Sequence, residues 1–373
     1  MSKNIAILGY YGYDNTGDEA VLDGMVYALN RASAKRDENL NITVLSADPD
    51  ATRKRCNVNA TDRKSIKNVI SALNKCDALV VGGGSLFQDT TGMGMSPSYY
   101  AGISLLAKML GKKVFYYAQG IGPLKRSLNR TLTAMSARKA DLLSVRDSES
   151  LFKLRNLCVN ANSIHLTADP TFALLPDRDA LSLRNALEKL PDKPILGVML
   201  RDWPGIGDVL GEVATACEML ATELDLSIVL LPMQKSRDMK VCRALSDIIE
   251  ADTLIIENDM SPAGMLVLFD RFSLVLGMRL HALIFAAKAG VPMLGIGYDP
   301  KINSFLAQVN MPLSSVVSLT SAKDLVEQGI ALFFDRENLR KMLLERSAEL
   351  RDEAYAFADL VVEALMNEDM KTK

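Results

Sequence analysis

Short apolar runs alternate with longer stretches of helical periodicity along most of this 373-residue chain. In the first half the runs read IAILGYYG (5–12), ITVLSAD (42–48), DALVVGGGS (77–85), KVFYYAQG (113–120), LLSVRD (142–147) and IHLTADPTF (164–172). In the second half they read PILGVMLRD (194–202), LSIVLLPMQ (226–234), TLIIEND (253–259), SLVLGM (273–278) and VPMLGIGYD (291–299). They lack the alternation of a half-exposed strand, which predicts parallel strands buried on both faces and joined by crossover helices. The runs end in Gly, Asp, Gln, Arg or Pro, so polar groups gather at the carboxyl ends of the strands, the edge where open α/β sheets bind ligands.

The series breaks at PDRDALSLRNALEKLPDKP (176–194), which has proline at both ends and charges throughout. The fold class is therefore α/β, with two Rossmann-like doubly wound parallel-sheet domains facing a cleft, the GT-B-like arrangement. The expected division is an N-terminal domain over 1–175 and a linker with one short helix over 176–193. A C-terminal domain covers 194–345, and a terminal helix over 346–373 packs back on the N-terminal domain. SAKDLVEQGIALFFD (321–335) and the long pattern after it read as helices.

Composition narrows the classes. A net charge of −2 gives no global field to recruit nucleic acid or an anionic membrane. Five cysteines with no C-x-x-C pair and no zinc spacing read as reduced thiols of a cytoplasmic protein. The N-terminus does not read as a signal peptide, and no segment reaches the length of a membrane span. No metal-ligand cluster is visible, so no metal site or cofactor is expected.

Several junctions carry candidate chemistry. In GYYGYDNTGDEAVL (9–22) a strand gives way to a turn and then to a helix opened by Asp18 and Glu19. Its N–H groups suit an anion or a sugar oxygen, with Asn15 and Gly17 in the turn. A helix cap by Thr16 or Asp18 explains the same residues. VVGGGSLFQD (80–89) puts Gly83 and Gly84 at a strand end, where backbone approaches either a ligand or a neighbouring helix. Gln119 in YYAQGIGP is a candidate partner for a sugar hydroxyl, and Arg146 before Asp147-Ser148 is either a structural ion pair or an anion clamp. Arg201, Gln234, Lys235 and Lys301 follow strand ends in the second half.

The strongest local signal is GMRLHALIFAAKAG (277–290), a strand end running into a helix stopped by Gly290. Arg279 and His281 fall in the helix's first turn, where the dipole favours an anion, so an arginine there is most simply explained by an anion that comes to it. His281 adds a group able to move a proton near neutral pH. The alternative is a satisfied core histidine beside a structural arginine. His165, the only other histidine, reads as structural.

GYYGYDNTGDEAVL, GGGSLFQD, YAQGIGP, SVRDSES, ADPTF, LPMQ and GMRLHALIFAAKAGVPMLGIGYDPK, in that order, resemble the polysaccharide pyruvyl transferase family, most closely its CsaB type. The resemblance implies a GT-B-like enzyme that moves a pyruvyl group from phosphoenolpyruvate to a sugar as a cyclic ketal. In the CsaB type the sugar is an N-acetylmannosamine unit of a secondary cell-wall polymer, whose pyruvylation anchors S-layer proteins. The family's essential Arg and His fall on Arg146 and His281, and Arg279 belongs to the same motif. On that expectation His281 is the acid, and Arg279, Arg201, Lys235 and Lys301 grip the donor. Arg146 and Asp18 face the acceptor, with Asp18 as base, and Asn15, Gly17, Gly83, Gly84, Gln119 and Gln234 bind the acceptor. A lipid-linked acceptor would bring the protein to the inner membrane face as a peripheral partner. Two other classes remain: a nucleotide-sugar glycosyltransferase on the same fold, and a non-catalytic glycan- or phosphate-binding module.

Overall fold

The computed structural model describes residues 2–89, 94–257 and 259–367. They fall into two compact units. The first holds the N-terminal residues through Tyr13, then Asp18–Leu174, then the chain from Leu350 onward; the second holds Asp14–Gly17 and Leu175–Glu349.

The first unit is built on β1 (Ser2–Leu8), β2 (Asn39–Ser46), β3 (Asn59–Asp62), β4 (Ala78–Val81), β5 (Gly84–Phe87), β6 (Lys113–Ile121), β7 (Leu142–Val145) and β8 (Ile164–Leu166). They form one parallel sheet in the order β3-β2-β1-β4-β6-β7-β8, with β5 also paired to β6. All four residues of β4 are buried, as are Val114–Ile121 of β6, which is what burial on both faces requires. Two strands escape the sequence pattern. β3 (NATD) carries no apolar run, and β5 lies beyond the glycines that follow β4. The run IHLTADPTF is strand only over its first three residues. Asp169 then accepts from the Thr171 N–H, and a short 3-10 turn covers Pro170–Ala173. His165 on β8 is exposed, its ring 5.9 Å from that of Phe357.

The second unit is built on β9 (Ile195–Met199), β10 (Ser227–Leu230), β11 (Thr253–Ile255), β12 (Leu274–Gly277) and β13 (Met293–Gly295), parallel in the order β11-β10-β9-β12-β13. β9, β12 and β13 are buried throughout. The short helix Leu181–Leu187 belongs to this unit, with Leu183 and Ala186 buried.

The last helix, Arg336–Met366, serves both units. In the second, the Ser347 hydroxyl donates to the Ala287 carbonyl at 2.9 Å. From Leu350 onward the helix lies on the first sheet. There the Tyr117 hydroxyl donates to the Ala354 carbonyl at 2.9 Å, and Phe357 meets the Tyr117 ring edge-on at 5.0 Å. Lys113 donates to the Ala364 carbonyl at 2.7 Å, satisfying an orphan group of the last turn. No described helix is long and apolar enough to cross a membrane.

Candidate functional site

Each sheet reverses its strand order once, and such a switch point opens a crevice at the carboxyl ends of the strands. In the first unit the reversal lies between β1 and β4. The Tyr11 ring crosses it, packed over Gly9 and Gly82, where any side chain would strike the ring. Its buried hydroxyl has no hydrogen-bond partner among the described residues. Burial first, then the nearby Asp18, Tyr100, Glu19 and Asp169, hold the phenol well above its ordinary range. Gly84 sits at φ +103°, and a Cβ there would lie 3.0 Å from the Asp18 carboxylate. Asp18 thus covers bare backbone, which a glycine permits and other residues rarely do.

Arg146 follows β7 and is fully enclosed. Nη1 donates to Asp169 Oδ2 at 2.6 Å and Nη2 to the Ser85 hydroxyl at 3.1 Å. The guanidinium lies flat on Gly120, where a Cβ would come within 2.9 Å of Nη2. Burial opposes its charge, but Asp169, Asp147 and Asp18 outweigh that and raise its pKa. The ion-pair alternative read from sequence is therefore present, and an external anion has no exposed guanidinium to meet here.

One expectation for this unit needs correction. Gln119 does not point at a sugar: it is fully buried, and its amide donates to the carbonyls of Val81 (2.7 Å) and Gly82. Those bonds pin the turn that β4 leads into. At Gly83 a Cβ would lie 3.0 Å from Val21 in the helix Thr16–Ala34, so the glycine lets that helix approach closely.

In the second unit the reversal lies between β9 and β12, and the chain after β9, β10, β12 and β13 supplies the polar groups. The Arg201 guanidinium lies against a packed pair of aromatic rings, Trp203 and Tyr298, whose centroids are 4.7 Å apart and lie 5.0 Å and 4.9 Å from it. Its Nη1 donates to the Tyr298 hydroxyl at 2.9 Å. Lys301 Nζ lies 5.0 Å over the Tyr298 ring and 3.5 Å from Asp299. Burial alone would raise the Tyr298 phenol, yet Lys301 and Arg201 together draw it below its ordinary value. Cation–π contact and the shared hydroxyl hold both cations in fixed positions.

Arg279 is the N-cap of the helix Leu280–Ala289 and is buried. Its anion is internal: Asp238 Oδ1 at 2.5 Å, with Gln234 Oε1 at 3.4 Å. Asp238 is 0 % exposed and also accepts from the Gln234 N–H at 2.9 Å. The charge at this helix start is thus answered without a ligand. Gln234, expected at the acceptor, instead braces Arg279. Lys235 makes an exposed ion pair with Asp259 at 3.3 Å.

His281 is the second residue of that helix and half-buried. Gly17 is pressed so closely on its ring that a Cβ would collide with it. The loop Asp14–Gly17 belongs to this unit, and the Thr16 N–H donates to the Met233 carbonyl at 3.0 Å. Asn15 turns the loop, its side chain accepting from the Gly17 N–H at 3.3 Å. Asn15 and Gly17, expected beside an acceptor on the first domain, thus form part of the His281 surround. Sequence reasoning missed Tyr298, Trp203, Asp238 and Asp169.

No curated protein matches the sequence. Among solved structures, UDP-GlcNAc 2-epimerase from Neisseria meningitidis bound to UDP-GlcNAc aligns with TM-score 0.63 at 16% identity, covering 97% of this chain and 100% of that one. The epimerase from Methanocaldococcus jannaschii aligns with TM-score 0.66 at 12% identity, covering 97% and 100%. Anabaena HepE in complex with UDP-glucose gives TM-score 0.64 at 12% identity, covering 97% and 98%. Identities this low speak for the fold alone, two parallel α/β units of the GT-B type. The family model for polysaccharide pyruvyl transferase matches residues 15–300, a span from the Asn15 loop through His281 to the Tyr298 cluster. The chain belongs to the polysaccharide pyruvyl transferase family.

Proposed function

We propose that the protein transfers the pyruvyl group of phosphoenolpyruvate to two hydroxyls of a sugar, forming a cyclic ketal and releasing phosphate. The observation that carries this reading is the pair of cations fixed on one phenol at a strand-end edge, Arg201 and Lys301 on Tyr298, in a chain of this family. Phosphoenolpyruvate bears a carboxylate and a phosphate, so it needs several positioned cations rather than one. In the reaction C3 of the donor takes a proton and C2 becomes an oxocarbenium-like electrophile. One sugar hydroxyl adds to C2, the C2–O bond to phosphate breaks, and the second hydroxyl closes the ring. The two hydroxyl protons balance the one given to C3 and the one leaving with phosphate.

His281 is assigned the proton delivered to C3. Arg201 and Lys301 grip the donor, with Lys235 at the rim and Arg279 holding the edge through Asp238. Asp18 is assigned the hydroxyl proton. Because Arg146 is enclosed, its contribution runs through Ser85 and Asp169. This acid–base route calls on no cofactor. The acceptor is proposed to be an N-acetylmannosamine unit of a secondary cell-wall polymer, on a lipid carrier at the inner face of the cytoplasmic membrane, in the service of S-layer anchoring. The deciding experiment incubates the protein with phosphoenolpyruvate plus acceptor and, separately, with UDP-sugars. Phosphate release only with the first supports the proposal. Turnover of UDP-sugars alone makes the protein a glycosyltransferase, and turnover of neither makes it a binding module.

Tyr298→Phe keeps the aromatic ring and removes the oxygen that orients Arg201. Hydrogen bonds to charged groups contribute about 1.5–3 kcal/mol. KM for phosphoenolpyruvate is therefore expected to rise by roughly 10- to 100-fold, with kcat changed much less, in steady-state assays. A fall in kcat at constant KM would show that the phenol serves the chemical step instead.

A further inference from the structure

A surface on the first unit remains unused by this chemistry. From Leu124 to Ala140 the sequence holds five basic residues, Lys125, Arg126, Arg130, Arg138 and Lys139, and no acidic one, in a chain of net charge −2. All five are exposed. The helix Ser127–Arg138 in this stretch buries Asn129, Thr133, Ala134, Ser136 and Ala137 against its own unit. Its outward face carries Leu128 at 63 % and Met135 at 42 % exposure, seven residues apart and hence on one stripe. Met95, also 63 % exposed, follows Gly94, where a Cβ would lie 3.0 Å from the Arg126 guanidinium carbon. Two flanking carboxylates are already engaged. Asp89 accepts from the Lys125 and Arg126 N–H groups at 2.8 Å each, and Asp141 pairs with Lys108 at 2.8 Å. Large apolar side chains with Lys125 and Arg126 before the stripe and Lys139 after it, and with neighbouring acids neutralised, fit an anionic lipid surface: apolar tips enter the headgroup boundary and the cations meet lipid phosphates.

We propose that this helix face docks the protein on an anionic bilayer. The occupant is a bilayer rather than a nucleic acid, since the stripe is aliphatic and presents no aromatic ring on which a base would stack.

The test is sedimentation of the full-length protein with vesicles of phosphatidylcholine alone and with phosphatidylglycerol added. Selective binding to the anionic vesicles, weakening as salt is raised, is expected. Each cation near the surface is worth roughly fivefold in partitioning, so replacing Lys125, Arg126 and Lys139 together by Gln should weaken binding roughly 100-fold. Leu128→Ser with Met135→Ser should weaken it through lost insertion while leaving the charge intact. Circular dichroism melts confirm that each variant is folded. Absence of binding, equal binding to both vesicle types, or unchanged binding of both folded variants overturns the proposal. Binding to heparin without binding to vesicles overturns it in favour of a soluble polyanion. Vesicle binding is read without catalysis, so its outcome stands apart from that of the pyruvyl transfer assay.

Discussion

His281→Ala is expected to lower phosphate release from phosphoenolpyruvate by about 10²- to 10⁴-fold, the usual worth of a positioned proton donor, while the protein stays folded. The structural side of this expectation rests on where the ring lies. His281 is the second residue of its helix and half-buried, and the Gly17 backbone closes over the ring. Removing the imidazole leaves a gap under the loop Asp14–Gly17 and disturbs neither the β12 core nor the Arg279–Asp238 pair. The accompanying stability loss is about 1 kcal/mol, near the centre of the distribution for single substitutions. His281→Gln separates the two roles. Glutamine fills much of the same space and supports the loop, but it cannot deliver a proton near neutral pH. Phosphate release followed continuously with donor and acceptor should be as poor in the glutamine variant as in the alanine variant. Near wild-type rates with glutamine would make the ring a support for Gly17 and move the acid elsewhere.

The fold was legible because its strands are buried on both faces. Runs such as ALVV in β4 and ILGVM in β9 carry no polar alternation, and they are too short and too often repeated to be helices buried on all sides. The strands that the pattern missed are those whose burial differs. β3 is a short, largely polar strand at the end of the sheet, and β5 begins at Gly84, inside a glycine run that reads as a terminator. IHLTADPTF read too long as a strand because pairing ends at Leu166 and Asp169 then caps a separate 3-10 turn, a signal weaker than the apolar residues around it.

For the candidate site, sequence identified positions better than partners. Arg146 and Arg279 do follow strands, but nothing local marks Asp169, 23 residues on, or Asp238, 41 residues back, as their counter-ions. Such pairings depend on which strands become neighbours. The grouping of Asp14–Gly17 with the second unit is likewise a product of tertiary packing. Trp203 and Tyr298 did leave a trace. The chain's only tryptophan stands two residues after Arg201, and Tyr298 three before Lys301, so reading aromatics beside strand-end cations would have found the cluster.

Asp169→Ala is expected to destabilise the protein by about 3–5 kcal/mol, the cost of stranding one buried charge of an ion pair. Arg146 is buried: its guanidinium packs on Asp169, Ser85 and the Gly120 backbone, and its Nε lies 3.8 Å from Asp147. Removing the carboxylate therefore takes away the shortest ion pair of the guanidinium and leaves it the Ser85 hydroxyl and the more distant Asp147. Chemical denaturation should show a reduced midpoint, since a stability change at constant surface burial leaves the slope unaltered. The companion variant carries Arg146→Met and Asp169→Leu together. Replacing both members of a buried pair with apolar residues of similar volume is often neutral or stabilising by about 1–4 kcal/mol, so the double variant should recover most of what Asp169→Ala loses. Activity then separates structure from chemistry. If the pair only holds the fold, the stable double variant turns over phosphoenolpyruvate like the parent. If Arg146 serves the reaction through the groups it orients, the double variant is stable and inactive. The second outcome is expected, because Arg146 fixes the Ser85 hydroxyl and its field reaches Asp18, the carboxylate assigned to the acceptor proton.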